Sequence, residues 1–173
     1  MATMEIDEDP LSTAPERLAD LYSRPGFMIR RAHQITISVF QAHAGDLGLT
    51  NTQFGVLYIL KRYPRIDQVT LAKLLRLDHS TTGTVLATLE TRGFVSRGVG
   101  ASDRRRRVLS LTKDGEAMLN AVQKKSSGTS DTLLAALSEK ERTVFLDLLA
   151  RIVGHFEAGE GGEVNPGSVD TAE

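Results

Sequence analysis

The chain has 173 residues, with 21 Lys and Arg against 22 Asp and Glu, and a formal net charge of -1. Taken as an average, this balance argues against a nucleic-acid partner, because a protein that binds phosphates is expected to carry an excess of positive charge. The absence of Cys excludes disulfide scaffolds, Cys-based zinc sites and thiol chemistry. No apolar run approaches the roughly 20 residues of a membrane span, and the acidic N-terminus lacks a signal-peptide layout. We therefore expect a cytoplasmic protein with no membrane partner.

The charges are unevenly distributed along the chain. Residues 1–20 hold six acids and one base, and residues 157–173 hold five acids and no base, which leaves residues 21–156 with a surplus of +9. Charge-rich ends with few apolar residues cannot bury a core, so we expect disordered acidic tails at 1–12 and 157–173. The chain length then favours a single domain over 13–156.

Helical spacing of apolar residues predicts three helices in the first part of the chain. They are a short helix over about 14–22, a long amphipathic helix over about 27–44 after a break at Pro25-Gly26, and a helix capped by Thr50 or Asn51 that runs to about Arg62.

Two further helices are predicted close together. One runs from Gln68 or Thr70 to Leu75, and the other from about Ser80 to Thr91, with a turn over 77–80 and a stop at Gly93. The second helix is expected to bury Val85, Leu86 and Leu89. Two helices joined by a short turn, the second with small polar residues outside, form a helix-turn-helix.

The rest of the chain predicts a hairpin followed by helices. Residues 94–99 and 107–112 alternate as strands around turn residues and arginines, which indicates a β-hairpin with a cationic tip. Thr112 is expected to cap the next helix, which weakens near 126–128. A capping box at 138–141 starts a last helix with an apolar stripe formed by Phe145, Leu148, Leu149, Ile152 and Phe156. The expected fold is therefore mainly α with a small β-hairpin wing, a winged helix-turn-helix.

Three stretches of this region resemble the MarR (multiple antibiotic resistance regulator) family. They are Leu77-Asp78-His79-Ser80-Thr81, residues 89–95, and Asp103 to Gly115, in which Asp-x-Arg is followed by Leu-Thr-x-x-Gly. The resemblance implies a homodimer of intertwined helices from 13–46 and 113–156, with a DNA-binding lobe at 50–112. The broad apolar stripes at 27–44 and 139–156 agree, because one small wing domain cannot cover both.

The second helix of the motif supplies the first candidate contacts to double-stranded DNA. Hydroxyls can bond phosphates or base edges, and Thr methyl groups can touch thymine, but the helix has no Arg or Lys to grip guanine. The helix N-terminus can also receive a phosphate through its N–H groups. Alternatively, Ser80 and Thr81 only cap the helix. The candidate residues are His79, Ser80, Thr81, Thr82, Thr84 and Thr88.

The wing supplies the second set. By resemblance, Arg105 enters the minor groove and Asp103 holds it through a charge-assisted pair, while Arg104 or Arg106 meets phosphates. An ordinary solvated charge run is the alternative, which we disfavour because four adjacent arginines repel one another without a polyanion. The outer phosphate candidates are Arg62, Arg65, Arg97 and Lys113.

A small aromatic acid is the expected effector. In relatives that respond to aromatic acids, the first helix carries a Pro-Gly and then paired arginines, of which the first binds the carboxylate; here that residue is Arg30. The other candidates are His33, the polar contact Thr36, and the walls Phe40, Phe54 and Tyr58. Alternatively, Arg31 pairs with Asp20 or a partner-chain acid, and His33 is an ordinary interface histidine.

Other functional classes find little support in the sequence. It contains no Gly-rich phosphate loop, nucleophile elbow, HExxH or paired-carboxylate spacing, so neither an enzyme nor a cofactor is expected. The scattered histidines argue against a metal sensor, and the lack of Cys excludes a thiol-switched sensor. The expected function is a transcriptional repressor that an aromatic acid releases from a pseudo-palindromic operator. The alternative is a ligand-independent architectural or protein-interaction winged helix.

The charge distribution generates a prediction about the acidic ends. Removal of residues 1–11 and 158–173 should tighten nonspecific DNA binding at low salt, because the ends compete with DNA for the basic body. Fluorescence anisotropy with a random-sequence duplex measures the effect. An unchanged affinity would mean that the ends are inert.

Overall fold

The computed structural model describes residues 18–99 and 107–157. The predictions for residues 1–17, for the wing tip at 100–106 and for the tail from 158 lie outside these ranges. The described elements, in chain order, are α1 (Ala19–Tyr22), α2 (Pro25–Ala44), α3 (Asn51–Arg62), α4 (Gln68–Leu75), α5 (His79–Thr91), β1 (Val95–Val99), β2 (Arg107–Leu111), α6 (Lys113–Lys125), α7 (Thr129–Leu133) and α8 (Glu139–Glu157). The expected fold, mainly α with a β-hairpin wing, is confirmed.

Helix α2 starts earlier than its sequence suggests. Pro25 and Gly26 were expected to break the chain before the helix, but Pro25 occupies its first turn and Arg24 is the extended residue before it. Proline suits this position because the first helical N–H has no partner within the helix. The ring of Tyr22 in α1 lies 5.5 Å from that of Phe27 between centroids, so α1 folds back onto the start of α2.

Helix α3 is capped at its N-terminus and packs against α6. Its N-terminus is fixed by a capping box in which Thr50 accepts from the Gln53 N–H and the Gln53 side chain accepts from the Thr50 N–H. Its buried side, formed by Val56, Leu57 and Leu60, packs in a core that also contains Leu119 and Val122 of α6.

The helix-turn-helix consists of α4 and α5. Asp67 caps α4, and α4 ends at Arg76, which is left-handed with φ 53°. Asp78 caps α5, so α5 begins at His79, a residue that was predicted to lie in the turn. Leu86 and Leu89 of α5 are buried as expected, whereas Val85 is only half-buried. Leu71 of α4 is fully buried in the same core.

The wing is an antiparallel hairpin that begins directly after α5. Gly93, left-handed with φ 75°, follows the last turn of α5 and redirects the chain. The hairpin register pairs Val95 with Leu111 and Val99 with Arg107. Leu109 also bridges to Ile66, whose carbonyl accepts from the Leu109 N–H at 2.8 Å. The segment before α4 therefore pairs with β2 through a single antiparallel bridge.

The C-terminal helices differ sharply in their packing. Thr112 caps α6, and the expected weakening at 126–128 is a 3-10 turn. The Ser138 capping box that precedes α8 is confirmed, since the Ser138 N–H donates to Glu141 at 2.8 Å. Yet α8 has no buried residue, and Phe145, Leu148 and Ile152 are more than two-fifths exposed. Among the described helices, none is long and apolar enough to cross a membrane.

Gly115, at the junction of wing and α6, gives a stability prediction. A Cβ at this position would overlap the carbonyl group of Phe94, whereas a Cβ at Gly26 would meet no atom within 4 Å. Gly115→Ala should lower the free energy of unfolding by about 1–3 kcal/mol, the range for overpacking, and Gly26→Ala should change it by less than about 1 kcal/mol. Urea denaturation followed by circular dichroism compares the two. Equal stability of the variants would contradict this packing.

Candidate nucleic-acid interface and ligand site

The outer face of α5 carries a row of small polar side chains. His79, Ser80, Thr84 and Thr88 are exposed. Ser80, Thr84 and Thr88 are four residues apart and therefore lie on one side of the helix. The predicted residues His79, Ser80, Thr84 and Thr88 thus share one accessible surface.

The hydroxyls of this row also bond to their own helix. Thr84 donates to the Ser80 carbonyl at 3.2 Å, and Thr88 donates to the Thr84 carbonyl at 3.1 Å. Because the hydroxyl protons of Thr84 and Thr88 are used in this way, their oxygen lone pairs and methyl groups remain for an outside partner. The face offers hydrogen-bond acceptors and methyl contacts to a groove.

Asp78 is the N-terminal cap of α5. Its carboxylate accepts from the Thr81 N–H at 2.7 Å and from the Thr81 hydroxyl at 2.6 Å. The alternative that Ser80 or Thr81 caps the helix is therefore wrong, and Thr81 is the donor to the capping residue Asp78. This carboxylate also occupies the helix N-terminus that was expected to receive a phosphate, because it accepts from the backbone N–H groups of Ser80 and Thr81.

Asp78 is held in its charged form. The Thr81 hydroxyl and then the Thr81 N–H hold the pKa of Asp78 below its ordinary value of 3.8. Because the folded pKa is the lower one, the ionised cap stabilises α5 above the ordinary aspartate pKa. That stabilisation is lost as the pH falls through the lowered pKa.

Thr82 belongs to the core. Its side chain is 0% exposed, and its hydroxyl donates to the Asp78 carbonyl at 2.8 Å. The assignment of Thr82 to the DNA-contacting face is therefore wrong, because the helix turns this residue toward the apolar interior and satisfies its hydroxyl within the backbone. Its residue type gave no sign of this orientation.

The cationic end of the wing begins where the described hairpin stops. Exposed Arg107 pairs across the hairpin with Val99, and the guanidinium of Arg65 donates to the Val99 carbonyl at 2.9 Å. Asp103, Arg104, Arg105 and Arg106 lie outside the described residues. The two arginines at the hairpin end place positive charge where the predicted minor-groove residues follow.

Arg97, a candidate phosphate contact, is engaged within the protein. Its guanidinium donates to Glu90 of α5 at 2.5 Å and to the Gln68 side chain of α4 at 3.2 Å. Glu90 compensates its charge, so Arg97 is better suited to fix the wing against the helix-turn-helix than to bind phosphate. Lys113 is exposed at the start of α6.

Three of the predicted effector residues form a continuous aromatic row. The ring centroids of Phe40 and Phe54 are 5.8 Å apart, and those of Phe54 and Tyr58 are 6.1 Å apart. Phe40 is 4% exposed, whereas Tyr58 reaches the surface. The row ends at Arg62, whose guanidinium carbon lies 5.3 Å from the Tyr58 ring centroid.

The other three effector candidates lie along α2. Arg30 is exposed, with its guanidinium 5.5 Å from the Phe27 ring centroid. His33 is exposed, and the Thr36 hydroxyl donates to the Ala32 carbonyl at 2.8 Å. Arg31 lies over the Tyr22 ring at 5.2 Å. The described contacts therefore join Phe40, Phe54 and Tyr58 to one another but do not join Arg30, His33 or Thr36 to them.

A metal site finds no support in the described parts of the chain, which contain no group of three or more His, Asp or Glu placed to hold an ion.

Sequence reasoning missed the roles of two residues. Asp78 precedes Thr81 by three residues, a spacing typical of a helix cap. Arg62 follows Tyr58 by four residues, a spacing that places the two side chains together on a helix. Arg62 was instead considered as an outer phosphate contact.

Comparisons with known proteins agree with this geometry. A model of the MarR family matches residues 49–106. The transcriptional regulator HosA of Escherichia coli is 32% identical over 126 residues, which cover 70% of this chain and 93% of HosA. A structure of the transcriptional repressor CouR bound to a 23-mer DNA duplex has a TM-score of 0.74 and 30% identity, covering 79% of this chain and 96% of that one. BpsR of Bordetella bronchiseptica, whose DNA binding is regulated by 6-hydroxynicotinic acid, has a TM-score of 0.72 and 26% identity, covering 76% and 94%.

The contrast between Thr84 and Thr82 provides a matched test of the α5 face. Thr84→Ala should weaken DNA binding severalfold and leave the unfolding free energy within about 0.5 kcal/mol, because the side chain is exposed. Thr82→Ala should lower the unfolding free energy by about 0.5–3 kcal/mol while the folded protein retains its DNA affinity. Gel-shift titration and urea denaturation of both variants separate the two effects. The reverse pattern would show that the faces are misassigned.

Proposed function

The chain belongs to the MarR family, and from this premise we propose that it is a cytoplasmic, homodimeric DNA-binding transcription regulator that acts as a repressor. The observation that carries the proposal is the exposed hydroxyl face of α5 beside a wing whose described end carries Arg65 and Arg107. The similarity to CouR, which is bound to a DNA duplex, supports this use of the face.

Two copies of the chain provide the functional unit in this proposal. The exposed apolar side chains of α8 have relative exposures between 36% and 56%, and Met28, Ile29 and Ile35 of α2 are each nearly half exposed. Surfaces of this kind mark interfaces, and a second copy can cover both. The helices of 13–46 and 113–156 then form the dimer, and 50–112 forms each DNA-binding lobe.

Each lobe of the dimer contributes one α5 to the major groove. Two recognition helices in successive major grooves require half-sites about 10 bp apart, and therefore a pseudo-palindromic operator. Phosphate contacts from the wing and from α5 make the affinity fall steeply with salt. Arg105 enters the minor groove, held by Asp103, while Arg104 or Arg106 contacts phosphate.

The proposed effector is a small aromatic carboxylate. The apolar row of Phe40, Phe54 and Tyr58 suits an aromatic ring, and the regulation of BpsR by 6-hydroxynicotinic acid supports this ligand class. Binding changes the spacing of the lobes and lowers the DNA affinity through a coupling of about 1–3 kcal/mol. Arg30, His33 and Thr36 are the polar candidates that the family resemblance implies.

The wing assignment predicts the result of an arginine substitution. Arg105→Ala should weaken operator binding at least tenfold without changing dimer stability, because it removes a cation from the minor groove. Gel-shift titration with the DNA upstream of the chain's own gene measures this, and Lys140→Ala in the first turn of α8 provides the control. Unchanged affinity for Arg105→Ala would exclude the wing role.

A second experiment separates this function from a ligand-independent winged helix. Phenolic and heteroaromatic acids, including 6-hydroxynicotinic acid, are added to the preformed operator complex. Release by at least one acid is expected. Retention of the complex with every acid would support an architectural or protein-interaction module.

A further inference from the structure

We propose that Arg92, at the C-terminal end of α5, is a positioning residue that selects the spacing between the two half-sites of the operator. It does so by fixing the recognition helix α5 to the end of the dimer helix α2. This inference rests on the proposed function, because it concerns the dimer bound to DNA. Arg92 directly follows the last residue of α5, at the end of the helix away from His79 and Ser80.

The guanidinium of Arg92 binds the connector between α2 and α3, residues 45–50. Its Nη1 donates to the Gly48 carbonyl at 2.5 Å, and its Nη2 donates to the Leu47 carbonyl at 3.2 Å. Hydrogen bonds from a charged donor are roughly twice as strong as those between neutral groups. Arg92 therefore provides a directional link between the end of α5 and the segment that follows α2.

Two features of the chain prepare this link. Gly48 is left-handed with φ 64°, a backbone conformation that glycine adopts without steric cost. The guanidinium carbon of Arg92 lies 4.8 Å from the centroid of the Phe94 ring, which is a cation–π contact. Phe94 directly precedes β1 and packs against the buried core. The ring therefore restrains the guanidinium at the position from which it reaches both carbonyls.

The connector is itself held by the helices that are assigned to the dimer. Asp46 forms an ion pair with Lys125 in the last turn of α6. The Gln41 side chain of α2 donates to the carbonyl of buried Leu49 at 3.5 Å. The connector therefore keeps its place relative to α2 and α6, and the bonds of Arg92 pass that placement on to α5.

The other contacts of α5 do not replace this link. Glu90 pairs with Arg97 of β1, and the Gln68 side chain of α4 donates to the His79 carbonyl at 3.4 Å, so both polar contacts stay within the DNA-binding lobe. The apolar side chains of α5 share the buried core, but apolar burial has no preferred direction. A small rotation of α5 is thus opposed mainly by the two directional bonds of Arg92.

The length of α5 amplifies a small rotation at Arg92. The helix has 13 residues, and at a rise of about 1.5 Å per residue it is about 20 Å long. A rotation of about 10° at its C-terminal end therefore moves the His79 end by about 3.4 Å, which is the rise of one base pair in B-DNA. Loss of the Arg92 link should therefore let the dimer accept half-sites that are one base pair closer together or farther apart.

The test compares Arg92→Gln with the wild type on duplexes that differ only in half-site spacing. Footprinting of the DNA upstream of the chain's own gene locates the operator, and its variants have one or two base pairs added or removed between the half-sites. Fluorescence anisotropy with the full-length chain measures each affinity. The spacing ratio is the affinity for the natural spacing divided by the highest affinity for an altered one.

The wild type should have a spacing ratio of at least about tenfold, because two recognition helices must enter successive major grooves. In Arg92→Gln this ratio should fall at least about fivefold, since a charge-assisted link is lost. The affinity for a random-sequence duplex should stay within about twofold, because it depends on phosphate contacts. A purely structural role would weaken binding to every duplex by the same factor, and that unchanged ratio overturns the proposal.

Arg142→Gln is the matched control. Arg142 also donates to two backbone carbonyls, those of Leu134 and Leu137, but it lies in the first turn of α8. This variant should keep the spacing ratio of the wild type. An equal fall of the ratio in Arg142→Gln and Arg92→Gln would overturn the proposal, because the effect would not belong to the link between α5 and the connector.

A second variant decides if circular dichroism shows that Arg92→Gln does not fold. Arg92→Lys retains the positive charge, but an ammonium lacks the planar fork with which a guanidinium binds two acceptors. Its spacing ratio should fall at least about threefold. A ratio equal to that of the wild type overturns the proposal.

The outcomes separate the role of Arg92 from the proposed function. If the wild type prefers one spacing and the Arg92 variants keep that preference, the proposed function stands and the positioning role is overturned. The role is also overturned, with DNA binding intact, if the wild type binds every spacing of the operator equally well. If the wild type binds no operator duplex better than a random sequence, the proposed function itself fails.

Discussion

The packing of α3 against α6 joins the DNA-binding lobe and the C-terminal helices through one buried core. Val56, Leu57 and Leu60 of α3 share a buried core with Leu119 and Val122 of α6, and the Lys61–Glu116 pair closes its edge. Helix α3 leads into the helix-turn-helix, whereas α6 leads toward α8 and its exposed apolar side chains. Helices α3 and α6 therefore connect the DNA-binding face to the proposed dimer surface.

The wing and α5 are fixed to each other by polar contacts that compensate charge. Glu90 of α5 and Gln68 of α4 both bind Arg97 of β1, so polar contacts connect the hairpin to both helices of the helix-turn-helix. Arg65, at the hairpin end, bonds a backbone carbonyl instead of a carboxylate. The near-neutral net charge of the chain is thus an average over charges that are unevenly distributed along it. The charge of Arg97 is balanced by Glu90, whereas the sequence carries four consecutive arginines at 104–107.

Most of the fold could be predicted because each element carries its own local signal. Thr112 and Ser138 act as the predicted caps, Thr50 rather than the alternative Asn51 caps α3, and Gly93 adopts the left-handed conformation expected of a helix stop. The start of α5 was harder, because Asp78, Ser80 and Thr81 are all competent caps and only the backbone conformation selects Asp78.

The site was less predictable than the fold because it depends on the orientation of side chains and on partners distant in sequence. Thr82 has the same type as Thr84, yet a half-turn of helix places it in the core. The sequence indicated an exposed phosphate contact at Arg62. The structure places its guanidinium against Tyr58 and beside α6. Arg105 and its neighbours at the wing tip, outside the described residues, remain predictions from the family resemblance.

In the proposed mechanism, two copies of this chain bind one operator and an aromatic acid releases them. Sedimentation equilibrium with a labelled operator duplex, run with and without a binding acid, measures this directly. We expect a complex of two chains per duplex that dissociates when the acid is added. A complex of one chain per duplex, or a two-chain complex that every acid leaves intact, would contradict it.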